Sequence, residues 1–486
     1  MKNKILRNCF IFMIVSFFFL QGTKAQKSQV TVYPAPHAEV LSTAYTVSVS
    51  GQTVPVYEAK VAPSDEQKRW KAMDDKKNSA DYFDTGAFGY FDMQGSATII
   101  VTVPAQIKKA RILPSSYGII PVIKGNTITF PLNAPKNLTV EINGEWIRSL
   151  HIFVNPLETD IPQSDDPDVI YFGPGVHEIS NLVVGDHKTV YIAGGAIVRA
   201  IIKPEEKFSI SGYSGLRTYG PSIDLSGKNI TVRGRGILDA SGCTTHSRNM
   251  ISVSGSNVVI EGIILRDSPT WTIPIHESDS VTVRNVKLIG YRANSDGIDI
   301  CNSRNVTIEG CFLRTLDDLI VVKTPKNGKG ESKHIIAKDC VLWNQVAHAL
   351  SIGAEITSDI DDVLFTNCDI IHDQGREWSL RVYHTDAAKV SNVRFENIRI
   401  EESIKCISLS IGKAVWSTDQ QQGHIQDITF RNVQAVGEPL TVNLEGFDVD
   451  HDIRNVLFQN VVLNGKPLDE GMVRKNDFVK NVTIKP

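Results

Sequence analysis

Short segments of alternating apolar and polar residues recur along most of the chain. Each segment is typical of a β-strand of period two, and Asn or Gly near its middle marks a bend. The segments begin at Asn229, Asn257, Ser280, Asn305, His334, Asp362, Asn392, Asp427, Asn455 and Asn481. Most intervals are 23 to 30 residues and the longest is 35. Because no helical period lies between the segments, stacking of β units is what buries their apolar faces.

The repeat predicts an all-β chain in which a right-handed parallel β-helix follows an N-terminal antiparallel β-sandwich. The repeat is too short for the blades of a β-propeller, which need about 40–50 residues. Earlier in the chain the repeat is missing, and alternating runs such as "SATIIVTV" and "NTITFPL" are separated by turn residues. We therefore predict a β-sandwich domain over 26–157 and a β-helix domain over 158–486. The recurring Asn is expected to form a ladder at the turns, so the sequons it creates are interpreted as structural.

The first residues have a different pattern. A basic stretch, "MKNKILR", precedes the apolar run "CFIFMIVSFFFL", and small residues follow before Gln26. This order predicts a signal peptide over 1–25, with export to the periplasm or the extracellular space. The apolar run has 12 residues, which is short for a membrane span, and no later segment is apolar enough for one.

Composition narrows the function further. The chain has 486 residues, 42% of them hydrophobic and 22% charged, which is typical of a globular protein. Its net charge is −3 and no basic patch dominates, so nucleic acid is not a predicted partner. The six cysteines after the signal peptide permit disulfides, whereas their similar places in the repeat favour stacked, buried thiols. No CxxC pair or His/Cys cluster indicates a metal or cofactor site, and no oligomeric state is predicted.

Acidic residues stand just before two strands of the repeat. We match the apolar residues Ile273, Ile298, Leu319, Leu350 and Leu380 of successive strands. This alignment predicts one column made of Trp271, Asp296, Asp317, His348 and Trp378. Asp318 is expected to point to the alternate side, with Ser351 and Arg381 beyond it. Since neighbouring rungs lie about 4.8 Å apart, three carboxylates distant in sequence should meet on one face.

Such a set suits glycoside hydrolysis, in which one carboxyl group donates a proton and another activates water. Crowded carboxylates raise the pKa of one member and keep its proton near neutral pH. Carboxylates one or two rungs apart span roughly 5–10 Å, which favours the wider inverting geometry. An Asp before a strand is also a common turn residue, so a single Asp has an ordinary structural explanation. For the adjacent pair that explanation is weaker, because like-charged neighbours gain no stability from each other.

Six segments carry a resemblance to a known family. In chain order they are "GRGILDASG", "RDSPTWTI", "NSDGID", "LDDLIVVK", "AHALSIGAE" and "LRVY". Together they resemble the family 28 glycoside hydrolases, the polygalacturonase group, over roughly residues 165–465. The resemblance implies hydrolysis of a polysaccharide or oligosaccharide by single-displacement inversion, without metal or cofactor. The preceding β-sandwich is similar to that of the family 49 dextranase group, which makes an α-glucan an alternative substrate.

The resemblance also implies roles for individual residues. Asp317 would be the general acid, Asp296 and Asp318 would share activation of the water, and His348 would tune the acid. The predicted substrate-contacting residues are Arg381, Tyr383, Lys323, Asp299, Trp271 and Trp378. Tyr383 stands where the family has a lysine that helps to bind a uronate carboxylate, which makes a galacturonan substrate less certain. Leu316 replaces the glycine before the acidic pair.

Two other functions are compatible with the same pattern. A polysaccharide lyase also uses a β-helix, but it needs a base, commonly with Ca²⁺ or a basic residue, acting on a uronate; paired acids are able to bind calcium. A non-catalytic carbohydrate-binding or adhesin β-helix needs the repeat but has no need of paired acids beside a histidine and an arginine.

Overall fold

The computed structural model describes residues 28–37, 39–437 and 440–486, and most of these residues lie in β-strands or the turns between them. The predicted signal peptide lies outside the described residues. Within the described ranges no helix is long and apolar enough to cross a bilayer. One α-helix, α1, spans Glu66–Asp74, and Asp65 caps its N-terminus by accepting from the Lys68 N–H. Short 3-10 turns occur at Ser79–Asp81, Ser115–Tyr117 and Glu470–Met472.

The N-terminal domain consists of two sheets that enclose a core of mainly Val, Ile and Leu. One sheet contains the strands Gln29–Val32, Val56–Val61, Asp84–Gln94, Ala110–Leu113, Asn137–Ile142 and Glu145–Pro156. The other contains Thr46–Val49, Gln52–Val54, Ala97–Thr102, Val122–Lys124 and Thr127–Leu132. The pairing is antiparallel as predicted, with one exception in the first sheet, where Glu145–Pro156 runs parallel to Asp84–Gln94.

The rest of the chain winds into a parallel β-helix, which confirms the predicted fold class. Its sheet I has eleven strands, Leu182–Val183, Ile223–Leu225, Ile251–Val253, Ile273–His276, Ile298–Cys301, Ile320–Thr324, Leu350–Ile356, Leu380–His384, Ile407–Ile411, Val442–Glu445 and Val473–Lys475. A hairpin of Phe208–Ile210 and Arg217–Tyr219 projects from an early turn.

The other two sides of each coil are formed by one sheet of 21 strands. Its strands lie in two rows, called row II and row III. Row II contains Val169–Phe172, Thr189–Ile192, Lys228–Gly234, Ser256–Glu261, Asp279–Arg284, Arg304–Glu309, Ser332–Lys338 and Ile360–Thr366. Row III contains Gly175–Ile179, Ala196–Ala200, Ile237–Asp239, Ile264–Arg266, Lys287–Ile289, Phe312–Thr315, Val341–Asn344 and Asp369–Asp373. The strands Lys389–Ser403, His424–Gly437 and Ile453–Leu463 run through both rows, followed by Lys466–Pro467 and Val479–Lys485.

Stacked identical residues hold successive coils in register. Phe365, Phe395, Phe430 and Phe458 stack with ring centroids 4.9–5.1 Å apart. At the turns, recurrent Asn residues adopt positive φ and donate from one coil to the next, as in Asn257 Nδ2 to Asn229 Oδ1 at 2.6 Å. Asn tolerates this left-handed conformation better than most residues, which explains its recurrence. The six cysteines of the described part are free thiols, all buried.

The outer face of row III is apolar and carries the sandwich domain. On the β-helix side the contact consists of Ile197, Ile237, Ile264, Ile289, Phe312, Val341, Trp343 and Ile371. On the sandwich side it consists mainly of Tyr57, Phe88, Tyr90, Leu113, Ile147 and Phe153. The sandwich domain thereby lies next to the turns that lead from row III into sheet I.

Candidate active site

The predicted acids lie where the chain passes from row III into sheet I. Asp296 precedes the strand Ile298–Cys301, and Asp317 and Asp318 precede Ile320–Thr324. Gly297 has no side chain, and a Cβ there would meet the Leu319 carbonyl oxygen at 2.3 Å. Because this glycine permits close approach, its N–H donates to the Asp318 carbonyl oxygen at 2.7 Å. The two acidic turns are thus held directly against each other.

The strand register differs by one residue from the sequence prediction at the acidic pair. Ile298 pairs with Ile320, not with Leu319, and Ile320 pairs with Leu350. Asp318, not Asp317, therefore shares the column of Asp296 and His348. The alignment failed because Leu319 and Ile320 are both apolar and both contribute to the core.

The three carboxylates form one cluster. An oxygen of each of Asp296, Asp317 and Asp318 lies within 4.8 Å of the others, close enough to hold a cation. The Lys323 ammonium lies among them, 3.3 Å from Asp296 Oδ2 and 3.8 Å from Asp318 Oδ2. It also pairs with Asp299 Oδ1 at 2.9 Å. A fixed positive charge of the chain itself thus partly neutralises the cluster.

His348 contacts Asp318 and not the predicted acid Asp317. Its Nδ1 lies 2.5 Å from Asp318 Oδ1, and its Nε2 lies 2.9 Å from Arg381 Nη1. Since Arg381 is always a donor, Nε2 must accept and Nδ1 must carry the proton that it donates to Asp318. His348 therefore supports an ionised Asp318.

Burial and charge set opposite protonation states for the adjacent acids. Burial, followed by the charge of Asp318, raises the pKa of Asp317 to about 7. Burial also raises the pKa of Asp318, but His348, Lys323 and Arg381 outweigh it, so the net pKa is lowered. Burial, with Asp317 and Asp299 nearby, raises the pKa of Asp296 well above its usual value. Near pH 7 an ionised Asp318 therefore lies beside Asp317, which still holds its proton in part of the molecules.

Comparison with known proteins identifies the family of the chain. The sequence model described as Glycosyl hydrolases family 28 matches residues 186–484, which is more than half of the chain. The chain belongs to glycosyl hydrolase family 28. Curated relatives include a polygalacturonase of Juniperus ashei, 26% identical over 42% of this chain and 40% of the relative. An endo-polygalacturonase of Pectobacterium carotovorum subsp. carotovorum is 26% identical over 47% of this chain and 54% of the relative. The matches span about half the length of these relatives.

Solved structures share the fold. The exopolygalacturonase from Thermotoga maritima has a TM-score of 0.52 at 18% identity, covering 65% of this chain and 83% of its own. Dex49A from Penicillium minioluteum has a TM-score of 0.57 at 13% identity, covering 93% of this chain and 96% of its own. The second match extends over both domains, and it confirms the predicted likeness to the family 49 group at the level of fold.

Two predicted substrate contacts of this family 28 chain are placed differently from the expectation. Lys323 and Asp299 are buried and pair with each other, so their charged groups face the cluster and not open solvent. Burial by itself would lower the pKa of Lys323, but Asp299 and Asp296 raise it well above its usual value. Both residues therefore support the carboxylate cluster from within the fold.

The other four predicted substrate-contacting residues lie around the carboxylate cluster, on the outer side of sheet I. Trp271 and Trp378 are half-buried, one rung before Asp296 and one rung after His348. The Lys323 ammonium lies 4.3 Å from the centroid of the Trp271 ring. Arg381 and Tyr383 project from the outer face of sheet I, and the Arg381 guanidinium lies 4.3 Å from the Tyr383 ring. All four are placed where they can contact a chain laid along sheet I.

The structure adds residues that sequence reasoning missed. Asn294 Nδ2 donates to Asp317 Oδ2 at 3.2 Å, and the "NSDGID" motif that contains it was the available signal. Glu377 Oε2 accepts from Arg381 Nη1 at 2.5 Å, and its spacing of four residues from that arginine gave no hint of the contact. Both belong to turns that precede sheet I strands.

The spacing of the acids is shorter than expected. One oxygen from each lies within 4.8 Å of the others, whereas the wider inverting geometry has carboxyl groups roughly 6.5–9.5 Å apart. The cause is the direct contact between the acidic turns of adjacent rungs.

Proposed function

We propose that the protein hydrolyses glycosidic bonds in a polysaccharide or oligosaccharide, in the manner of polygalacturonases. The observation that carries the proposal is the pair of adjacent acids in opposite states, Asp317 with a pKa of about 7 and Asp318 with a lowered pKa. Acid–base hydrolysis of an acetal needs one protonated and one ionised carboxyl group at the same time. A pectin-type polymer or a related α-linked glycan is the proposed substrate.

In the proposed mechanism Asp317 protonates the glycosidic oxygen while the bond from that oxygen to the anomeric carbon breaks. A water molecule attacks the anomeric carbon, and its proton passes to Asp318. Asp296, one rung away, orients the water together with Asp318, while Asn294 positions Asp317. Exchange with solvent then returns the proton from Asp318 and reprotonates Asp317.

The stereochemical course is proposed to be inversion, as the family resemblance implies. The close spacing of the carboxyl groups makes a covalent glycosyl intermediate on Asp318 the alternative. Proton NMR of the first product distinguishes the two courses, because inversion changes the anomeric configuration and a double displacement retains it.

The place of action is also a proposal. The order of basic, apolar and small residues over 1–25 supports export, which would bring the enzyme to polysaccharides outside the cytoplasm.

Asp317→Asn tests the assignment. The amide cannot donate a carboxyl proton, so the barrier should rise by about 3–5 kcal/mol and kcat should fall roughly 10²–10⁴-fold. The substrate is whichever polysaccharide of a broad panel the wild type cleaves. Reducing-end release measures the rate, and circular dichroism checks the fold.

Glu309→Gln is the matched control, since Glu309 lies on the outside of row II and pairs with Lys338. It should retain wild-type activity. Near wild-type turnover in Asp317→Asn would refute the assignment.

A further inference from the structure

The sheet I face beyond the acids contains an arginine whose charge is already neutralised. Arg381 Nη1 donates to Glu377 Oε2 at 2.5 Å and to His348 Nε2 at 2.9 Å. These two bonds use both N–H groups of Nη1. A substrate carboxylate at Nη1 would have to displace Glu377, and one at Nη2 would meet a guanidinium whose charge Glu377 already balances. At either place it would also approach the ionised Asp318 on the far side of the His348 ring. The site thus opposes a second negative charge at this position.

The ring of Tyr383 reinforces that arrangement. It covers the Arg381 guanidinium, with the central carbon 4.3 Å from the ring centroid, and its hydroxyl donates to the Lys413 carbonyl at 3.2 Å. The ring therefore blocks one face of the guanidinium, and the Tyr383 side chain adds no positive charge to the subsite. The groups left for a ligand are the N–H groups of Nη2, which suit a sugar hydroxyl.

The other basic side chains described around this position are directed elsewhere. Lys405 donates to the Arg376 carbonyl at 2.5 Å, and Lys323 pairs with Asp299 and Asp296. The Lys413 ammonium lies 5.9 Å from the Phe447 ring, although the Lys413 carbonyl contacts Tyr383. None of these cations is placed to receive a carboxylate at Arg381.

Building on the proposed hydrolysis, we propose that the subsite formed by Arg381, Glu377 and Tyr383 accepts a neutral sugar, a hexose or deoxyhexose without a carboxylate. The bond that is cleaved then joins at least one neutral sugar. Glu377 and Tyr383 are the specificity-determining residues, because Glu377 cancels the charge of Arg381 and Tyr383 covers one face of its guanidinium with an uncharged ring. A polymer made entirely of uronate is consequently a poor substrate.

Three polymers test the proposal on the full-length enzyme: polygalacturonate, its carboxyl-reduced form, and a polymer that alternates uronate with neutral sugar. Wild-type kcat/KM should be at least tenfold higher on one of the two polymers that contain neutral sugar than on polygalacturonate. The double variant Glu377→Gln with Tyr383→Lys exposes the charge of Arg381 and adds a cation. It should raise the ratio of kcat/KM for polygalacturonate to kcat/KM for the better neutral polymer at least tenfold.

Two controls separate charge at the subsite from other effects. Glu261→Lys changes the net charge by the same amount but lies on row II, where Glu261 pairs with Arg284, so it should leave the substrate ratio unchanged. Tyr383→Phe retains the ring over Arg381 and should also keep the wild-type ratio.

The outcomes for this subsite and for hydrolysis itself are distinguishable. Wild-type cleavage of polygalacturonate as efficient as that of both other polymers would overturn the neutral subsite while leaving hydrolysis intact. An unchanged ratio in the double variant would overturn the roles of Glu377 and Tyr383. Inactivity on the three polymers with cleavage of another glycan would overturn this subsite but not hydrolysis. Failure to release product from the three polymers and from every glycan of a broader panel would refute both.

Discussion

His348 connects the carboxylate of Asp318 to the guanidinium of Arg381. The imidazole accepts from Arg381 on one side and donates to Asp318 on the other, so it has one tautomer in this arrangement. The donated hydrogen bond stabilises the ionised form of Asp318, while the neighbouring Asp317 retains its proton. A single side chain thereby helps to separate the protonation states of two adjacent acids.

The pH profile should report this separation. In the proposed mechanism Asp318 must be ionised, so its lowered pKa should set the acidic limb of the profile. Asp317 must be protonated, so activity should fall as the pH rises through about 7. His348→Ala removes a contact that lowers the pKa of Asp318, and the acidic limb of kcat/KM should therefore move to higher pH. Initial rates across pH 3–9, on a polymer that the wild type cleaves, measure the shift. At its own optimum pH, His348→Ala should be roughly tenfold slower than the wild type.

His334→Ala is the control for that profile, because His334 is exposed on row II and pairs with Asp362. The acidic and basic limbs of the pH profile of His334→Ala should coincide with those of the wild type. An acidic limb that stays in place in His348→Ala would show that the imidazole does not set the state of Asp318.

The alternation of apolar and polar residues predicted which acids lie on one face of the β-helix. It did not predict which member of the adjacent pair lies in the column of Asp296 and His348. Asp296, Asp318 and His348 follow from the repeat once its register is known, whereas two successive apolar residues, Leu319 and Ile320, permit two registers. The contact of Glu377 with Arg381 depends on side-chain rotamers in an irregular turn, and alternation carries no information about those.

The turns before sheet I are supported by an element of the other domain. α1 and the 3-10 turn Ser79–Asp81 lie against them, and Ser79 Oγ accepts from the Ala293 N–H at 2.6 Å. Leu316, which replaces the family glycine, packs with Val346 against Ala62 and Ala72. The substitution is thus explained by a hydrophobic contact that the sandwich domain supplies.

Leu316→Ala should separate this support from the chemistry itself. Truncation leaves a cavity beside Val346 and should cost about 2–5 kcal/mol in the free energy of unfolding. Because Leu316 directly precedes Asp317, the looser turn should also lower kcat, by roughly 10²-fold if the acid shifts by about 1 Å. Urea denaturation and initial rates under folding conditions measure the two effects.

Leu444→Ala is the matched control, since Leu444 is a core leucine of sheet I well beyond the acidic rungs. It should lose comparable stability and keep its kcat. A wild-type kcat in Leu316→Ala would mean that the contact stabilises the interface without positioning the acids.

The repeat predicted the coils of the β-helix, since each unit carries its own alternation, turn and spacing. It contained no signal for α1, because a nine-residue helix rich in charged residues gains its stability from docking on the other domain. The same limit applies to the joint between the domains, which is made of contacts between residues far apart in the sequence.

At the scale of the whole molecule, Asp92 makes a buried polar contact across that joint. Its carboxylate accepts from Tyr33 at 2.9 Å, Asn155 at 3.1 Å and the Glu158 N–H at 3.1 Å. It also pairs with Arg235 of the β-helix, whose Nε lies 3.0 Å away. Both charged groups are buried and have lost their hydration. Each is therefore stabilised mainly by the opposite charge of the other.

Asp92→Ala should therefore weaken the joint more than the loss of a surface pair would. It leaves the Arg235 guanidinium buried without its carboxylate, which costs about 3–5 kcal/mol in the free energy of unfolding. Glu261→Ala removes the partner of Arg284 on the exposed outside of row II and should cost at most about 1 kcal/mol. Urea unfolding followed by tryptophan fluorescence compares the two variants. Because the sandwich domain supports the turns of the proposed active site through α1, Asp92→Ala should also lose activity at lower urea concentrations than Glu261→Ala. Equal losses of stability in the two variants would mean that water reaches Arg235 and that the apolar face of row III alone holds the domains together.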